Sequence, residues 1–111
     1  MALAERPFFE PDAAEPITPV AALVRCIEHG SRALLLDRSA LPAAFFDLST
    51  GVAGEFVQKL TNYGVRMAAV VPDLAAHPPR FREFAREANT GRQFRFCATR
   101  EAAIDWLTSM L

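Results

Sequence analysis

Apolar residues along this chain come as helical stripes alternating with short continuous runs. Thr18-Pro19 opens the first stripe, a hydroxyl cap followed by proline where its missing N–H costs nothing. Val20, Leu23, Val24 and Ile27 follow at helical spacing, and Gly30 stops the helix. Ala33-Leu34-Leu35-Leu36 is wholly apolar and ends at Asp37, the pattern of a strand covered on both faces. Leu41-Pro42-Ala43-Ala44-Phe45-Phe46 reads as a helical turn. The next stripe predicts a helix from Thr50 to about Tyr63, stopped by Gly64. Met67-Ala68-Ala69-Val70-Val71 is a second strand, closed by Pro72-Asp73.

Pro79 opens a third helix with Phe81, Phe84, Ala85 and Ala88 on one face, ended by Asn89-Thr90-Gly91. Phe94-Arg95-Phe96-Cys97-Ala98 alternates as a half-exposed edge strand does. Thr99 caps a last helix with Ala103, Ile104, Leu107 and Leu111 on its face and Trp106 beside them. Alternation of helix and strand implies right-handed crossovers and a parallel sheet. The expected fold is therefore α/β: a small, mainly parallel sheet of three to four strands flanked by four helices, with both faces covered. Residues 1–17, punctuated by Pro7, Pro11 and Pro16, form a separate arm with room for one short edge strand around residues 6–10; residues 18–111 form the domain.

Composition narrows the function classes. The 111 residues are 51% hydrophobic with a net charge of −1, which excludes a disordered chain and gives no sign of nucleic-acid binding. The arginines between residues 80 and 100 interleave with Glu83, Glu87 and Glu101, as on a solvated mixed-charge face. No stretch suits a membrane span or a signal peptide. Cys26 and Cys97 lie far apart among apolar neighbours, which suits reduced, buried thiols in a cytoplasmic protein. His29 and His77 stand alone and no Cys/His cluster exists, so neither a metal site nor a cofactor is expected.

In open parallel sheets ligands gather beyond the C-terminal strand ends. That edge carries Asp37, Arg38 and Ser39, then Asp47, Ser49 and Thr50, then Pro72 and Asp73, and Thr99. Ser49 and Thr50 precede a helix whose N–H groups could hold an anion or whose start they or Asp47 could cap. Gly51 and Gly54 leave room for close approach. On that helix Val52, Phe56, Leu60 and Tyr63 project to one side, with Ala53 and Val57 next to them. Glu55, Gln58 and Asn62 form an opposite polar stripe, able to read a ligand, meet a second chain or simply face water. Asn89, Arg92 and Gln93 form another polar group that shapes the turn before the last strand, with Asn89 or Gly91 at positive φ. Asp73 and His77 on one loop do not by themselves define a catalytic pair, and no nucleophile–base spacing accompanies Glu55.

Phe45-Phe46-Asp47-Leu48, Thr50-Gly51, Ala53-Gly54-Glu55, Gln58-Lys59 and Asn62-Tyr63 resemble an uncharacterised bacterial family, domain of unknown function 4180. The resemblance continues through Val65-Arg66, Ala68, Phe84, Glu87, Asn89, Gly91-Arg92-Gln93 and the closing Ala103, Ile104, Trp106 and Leu107, so it spans residues 17 to 107. It implies a compact α/β domain and no particular activity. More loosely, Asp47-Leu48-Ser49-Thr50-Gly51 is similar to the Asp-Ser-(Ser/Thr)-Gly phosphorylation site of STAS domains, the fold of anti-anti-sigma factors.

Two function classes follow. The first is a non-enzymatic interaction or regulatory module of STAS-like type, forming a homodimer and engaging a regulatory protein, with Ser49 or Thr50 as a phosphorylation switch. The alternative is a small-ligand-binding protein or weak enzyme whose pocket uses Glu55, Gln58 and Asn62, with Arg92 and Gln93.

Overall fold

The computed structural model describes residues 8–12 and 16–109. Three parallel strands, β1 (Ala33–Leu36), β2 (Arg66–Val70) and β3 (Phe94–Cys97), lie side by side in chain order. Ala33 is level with Arg66, and Met67 with Phe94. Helices α1 (Pro19–Glu28), α2 (Val52–Asn62) and α3 (Pro79–Ala88) precede the strands in turn, and α4 (Arg100–Ser109) follows β3. Sequential order with right-handed crossovers places α1, α2 and α3 on one face. Their inward side chains meet Leu34, Leu36, Met67, Ala69, Phe94 and Phe96 around Phe45. Alone on the other face, α4 sets Ala103 and Leu107 against Ala33, Leu35, Ala68, Val70 and Cys97. The alanines there let its backbone lie close. The fold is thus the expected α/β sheet with four helices, covered three to one.

Of the expected edge strand, Arg6 and Pro7 lie outside the described residues. Phe9 makes a single parallel bridge to Leu34, donating to Ala33 O at 2.8 Å and accepting from Leu35 N at 2.9 Å. Thr18 caps α1 as anticipated, its Oγ1 accepting from Ala21 N at 3.1 Å, and Thr99 does the same for Ala102 N on α4. The second strand starts one residue earlier than its apolar run, at Arg66.

Three local expectations are corrected. In α1 the buried residues are Pro19, Ala22, Leu23 and Cys26, whereas Val20, Val24 and Ile27 stay about half exposed, at 51%, 45% and 50%. The inward arc is rotated from the most hydrophobic one: Ala22 and Cys26 are buried with Leu23 in the core, and the helix packs mainly beside α2. Tyr63 is likewise outside the core, 63% exposed just past the end of α2. At the third turn, Asn89 is right-handed at φ −70° and Gly91 is not at positive φ; Gly30, Gly51 and Gly64 take that conformation instead.

Candidate functional site

The connection from β1 to α2 runs through three single 3₁₀ turns, Arg38–Ala40, Ala43–Phe46 and Leu48–Thr50. Gly51, at φ 80°, breaks the last turn from α2, so the helix begins at Val52 and not at Thr50. This corrects the expected cap. Asp47 caps the 3₁₀ turn, accepting from Ser49 N at 3.1 Å and from Ser49 Oγ at 2.6 Å. Those bonds hold the Asp47 carboxyl below the usual carboxylate range, the hydroxyl contributing most and the backbone N–H next. Thr50 Oγ1 lies 2.7 Å from both Ala44 O and Asp47 O and accepts from Val52 N at 3.3 Å. Thr50 is therefore tied into the loop, and Ser49 is the hydroxyl with a single side-chain partner.

On α2, Gly54, Glu55, Gln58 and Asn62 are all exposed, as the polar stripe predicts. None of Glu55, Gln58 and Asn62 lines the cavities along α3, at either end of the sheet or between α2 and α3. A side chain at Gly51 or Gly54 would meet nothing within 4 Å, so nothing in the isolated chain approaches either glycine. Glu55 is 4.0 Å from Lys59 one turn on, an exposed pair of small energetic weight. Arg92 and Gln93 sit at the opposite end of the sheet from Ser49, at the N-terminal strand ends. There they line a depression of about 410 Å³ with Arg32, Gly64 and Arg66. The structure does not bring them together with Glu55.

Arg25 of α1 and His29 at its C-terminal end both lie over the Phe9 ring, at 5.8 Å and 4.8 Å from its centroid, so that flank faces the sheet edge. Val20, Val24 and Ile27 lie on the other flank, toward α2. Val57 of α2 shares a cavity with Phe84 and Ala88 of α3, so the opposite flank of α2, with Lys59 and Tyr63, looks toward α1. Val20, Val24 and Ile27 thus form a half-exposed apolar strip on α1 beside α2, with Tyr63 exposed just past the end of α2.

A further cluster was not legible as a unit. Beyond the C-terminal strand ends, Arg38 Nε donates to Asp73 Oδ1 at 3.1 Å, and His77 Nε2 is 3.5 Å from the same oxygen. The His77 ring lies flat on Phe46 with centroids 4.1 Å apart, and the Arg38 guanidinium is 5.3 Å from that ring. Arg38 and Asp73 are 35 residues apart in the chain, so no local motif links them. Their strand-end positions were the available signal.

A concavity of about 720 Å³ lies along α3, where Arg80, Glu83, Arg86 and Glu87 interleave. Mixed charges without a converging polar group make it a solvated face rather than a site. Among the described residues no group of three or more His, Cys, Asp or Glu could hold a metal, and no helix is long and apolar enough to cross a membrane.

The family profile described as domain of unknown function (DUF4180) matches residues 17–107, most of the chain. The chain belongs to this family. No curated protein and no solved structure matches it.

Proposed function

We propose that this DUF4180 domain is a non-enzymatic interaction module, regulatory in role and STAS-like in type, acting in the cytoplasm by docking a second copy of itself through the α1–α2 face. The supporting observation is the exposure of Val20, Val24 and Ile27 on α1 and of Tyr63 just past the end of the adjacent α2. Side chains of this size cost free energy in water and gain it under a partner, at about 25 cal/mol per Å² covered. The surrounding polar positions Glu28, Glu55, Gln58, Lys59 and Asn62 carry both signs of charge. A two-fold partner presents the same set in reverse, so Lys59 of one copy can meet a carboxylate of the other. Ser49 supplies the regulatory element: a phosphoryl group there would face the Asp47 carboxylate, break the cap and alter the start of α2.

Solution mass with chain-length controls tests this reading. The wild type is expected as a dimer at roughly 100 µM, a concentration suited to a modest interface. Val24→Asp is expected as a monomer with unchanged circular dichroism. A monomeric wild type, or a Val24→Asp protein that remains dimeric, would overturn it.

A further inference from the structure

We infer that the depression beyond the C-terminal ends of β1 and β2 is a binding site for a small organic carboxylate, independent of the α1–α2 face. The cavity has a volume of about 460 Å³ and is lined by Arg38, Ser39 and His77 together with the apolar Leu41, Ala43 and Phe46. A few converging polar groups on apolar walls, at this place in an open α/β sheet, is the general form of a small-molecule site.

The polar groups are held in advance. Arg38 spends only Nε on Asp73, so both Nη groups of the planar fork are left to grip a carboxylate. His77 is fixed by its stack on Phe46, and its side chain is only 11% exposed. Its Nε2 is buried beside Asp73 without a hydrogen bond, and the ring lines the cavity. Both nearby carboxylates are engaged: Asp73 by Arg38, Asp37 by the N–H and hydroxyl of Ser39 at 3.2 Å and 2.9 Å. Neither lines the cavity. One guanidinium fork with apolar walls suits a planar carboxylate on a short carbon skeleton better than a fully hydrated tetrahedral anion.

The test is an amide NMR titration of the full chain with benzoate, with benzyl alcohol as its neutral analogue and inorganic phosphate as a bare anion. Saturable shifts are expected at Arg38 to Phe46 and at His77 with benzoate only. Arg38→Gln, at an exposed position that leaves the core intact, is expected to weaken benzoate about tenfold or more, and Arg80→Gln on α3 to leave it unchanged. No saturable shift, shifts elsewhere, equal affinity in Arg38→Gln, or equal response to phosphate or benzyl alcohol would each overturn the assignment.

Discussion

The side-chain amide of Asn89 takes the place of a neighbouring strand for Phe96. Its Oδ1 accepts from Phe96 N at 2.7 Å and its Nδ2 donates to Phe96 O at 3.2 Å. Residues 93 and 97 turn their carbonyls toward β2, bonding Met67 N and Val71 N, so Phe96 turns its backbone groups outward. One amide at the end of α3 thus satisfies and blocks the outer edge of β3. The Arg95 guanidinium adds a bond to Asn89 O at 2.7 Å. Asn89→Ala leaves two backbone groups without partners and is expected to destabilise by about 2–4 kcal/mol in urea unfolding.

Phe45 is the centre of the larger core. Its ring centroid lies 5.3 Å from Phe56, 5.8 Å from Phe81 and 6.1 Å from Phe96, and the side chain is fully buried. It also belongs to the connection that places Arg38 and Asp47. Phe45→Ala is expected to cost about 3–5 kcal/mol, measured by denaturant midpoint, and to loosen that connection.

The two glycines of the α2 start differ in kind. Gly51→Ala meets no steric neighbour but must hold φ 80°, so a loss of about 1–2 kcal/mol is expected. Gly54 lies within α2 and also has open space around it, so Gly54→Ala is expected to gain about 0.5–1 kcal/mol in the single chain. If a second chain packs against Gly54, the same substitution raises the dimer dissociation constant, which solution mass measures.

Asp47 gives a pH signature. Its carboxyl is depressed in the fold, so its contribution to stability is present above the unfolded value, near 3.8, and is lost as pH falls through the folded one. Ser49→Ala removes the hydroxyl bond and keeps the N–H bond. The Asp47 carboxyl is expected to titrate at higher pH in this variant, moving part of the way back to its ordinary value, as followed by carboxyl carbon NMR.

Both thiols are expected to be inert in the native protein. Burial pushes Cys26 up to about 11, opposed by its bond to Ser31, and burial also raises Cys97. A thiol reagent at about pH 8 should label neither until the chain unfolds, and then both. The raised folded value of Cys26 means that its share of stability is complete below the unfolded value of 9.0 and is lost as pH rises toward about 11. A denaturation midpoint that stays flat across that window would contradict this.

Local chemistry made much of the fold legible. The apolar runs at residues 33–36 and 67–71 are too short for helices and mark covered strands, which form at Ala33–Leu36 and Arg66–Val70, and Thr18-Pro19 and Thr99 mark helix starts by groups that satisfy the first N–H donors. The polar stripe of Glu55, Gln58 and Asn62 could be read because three- and four-residue spacing fixes one helix face. Spacing could not choose between adjacent apolar arcs of α1. Val20, Val24 and Ile27 are more hydrophobic than Ala22 and Cys26, but the smaller pair is the one buried in the core.

The alternation of strands and helices, the capping of α1 and α4 and the exposure of the α2 polar stripe follow from local chemistry, because each depends on residues within a few positions of one another. Tertiary structure alone decided that Arg38, Asp73, His77 and Phe46 meet, that Arg92 and Gln93 lie far from Ser49, and that one flank of α1 stays uncovered. Those outcomes depend on how the strand ends and helices are placed in space, and that placement is set by the packing of the whole core.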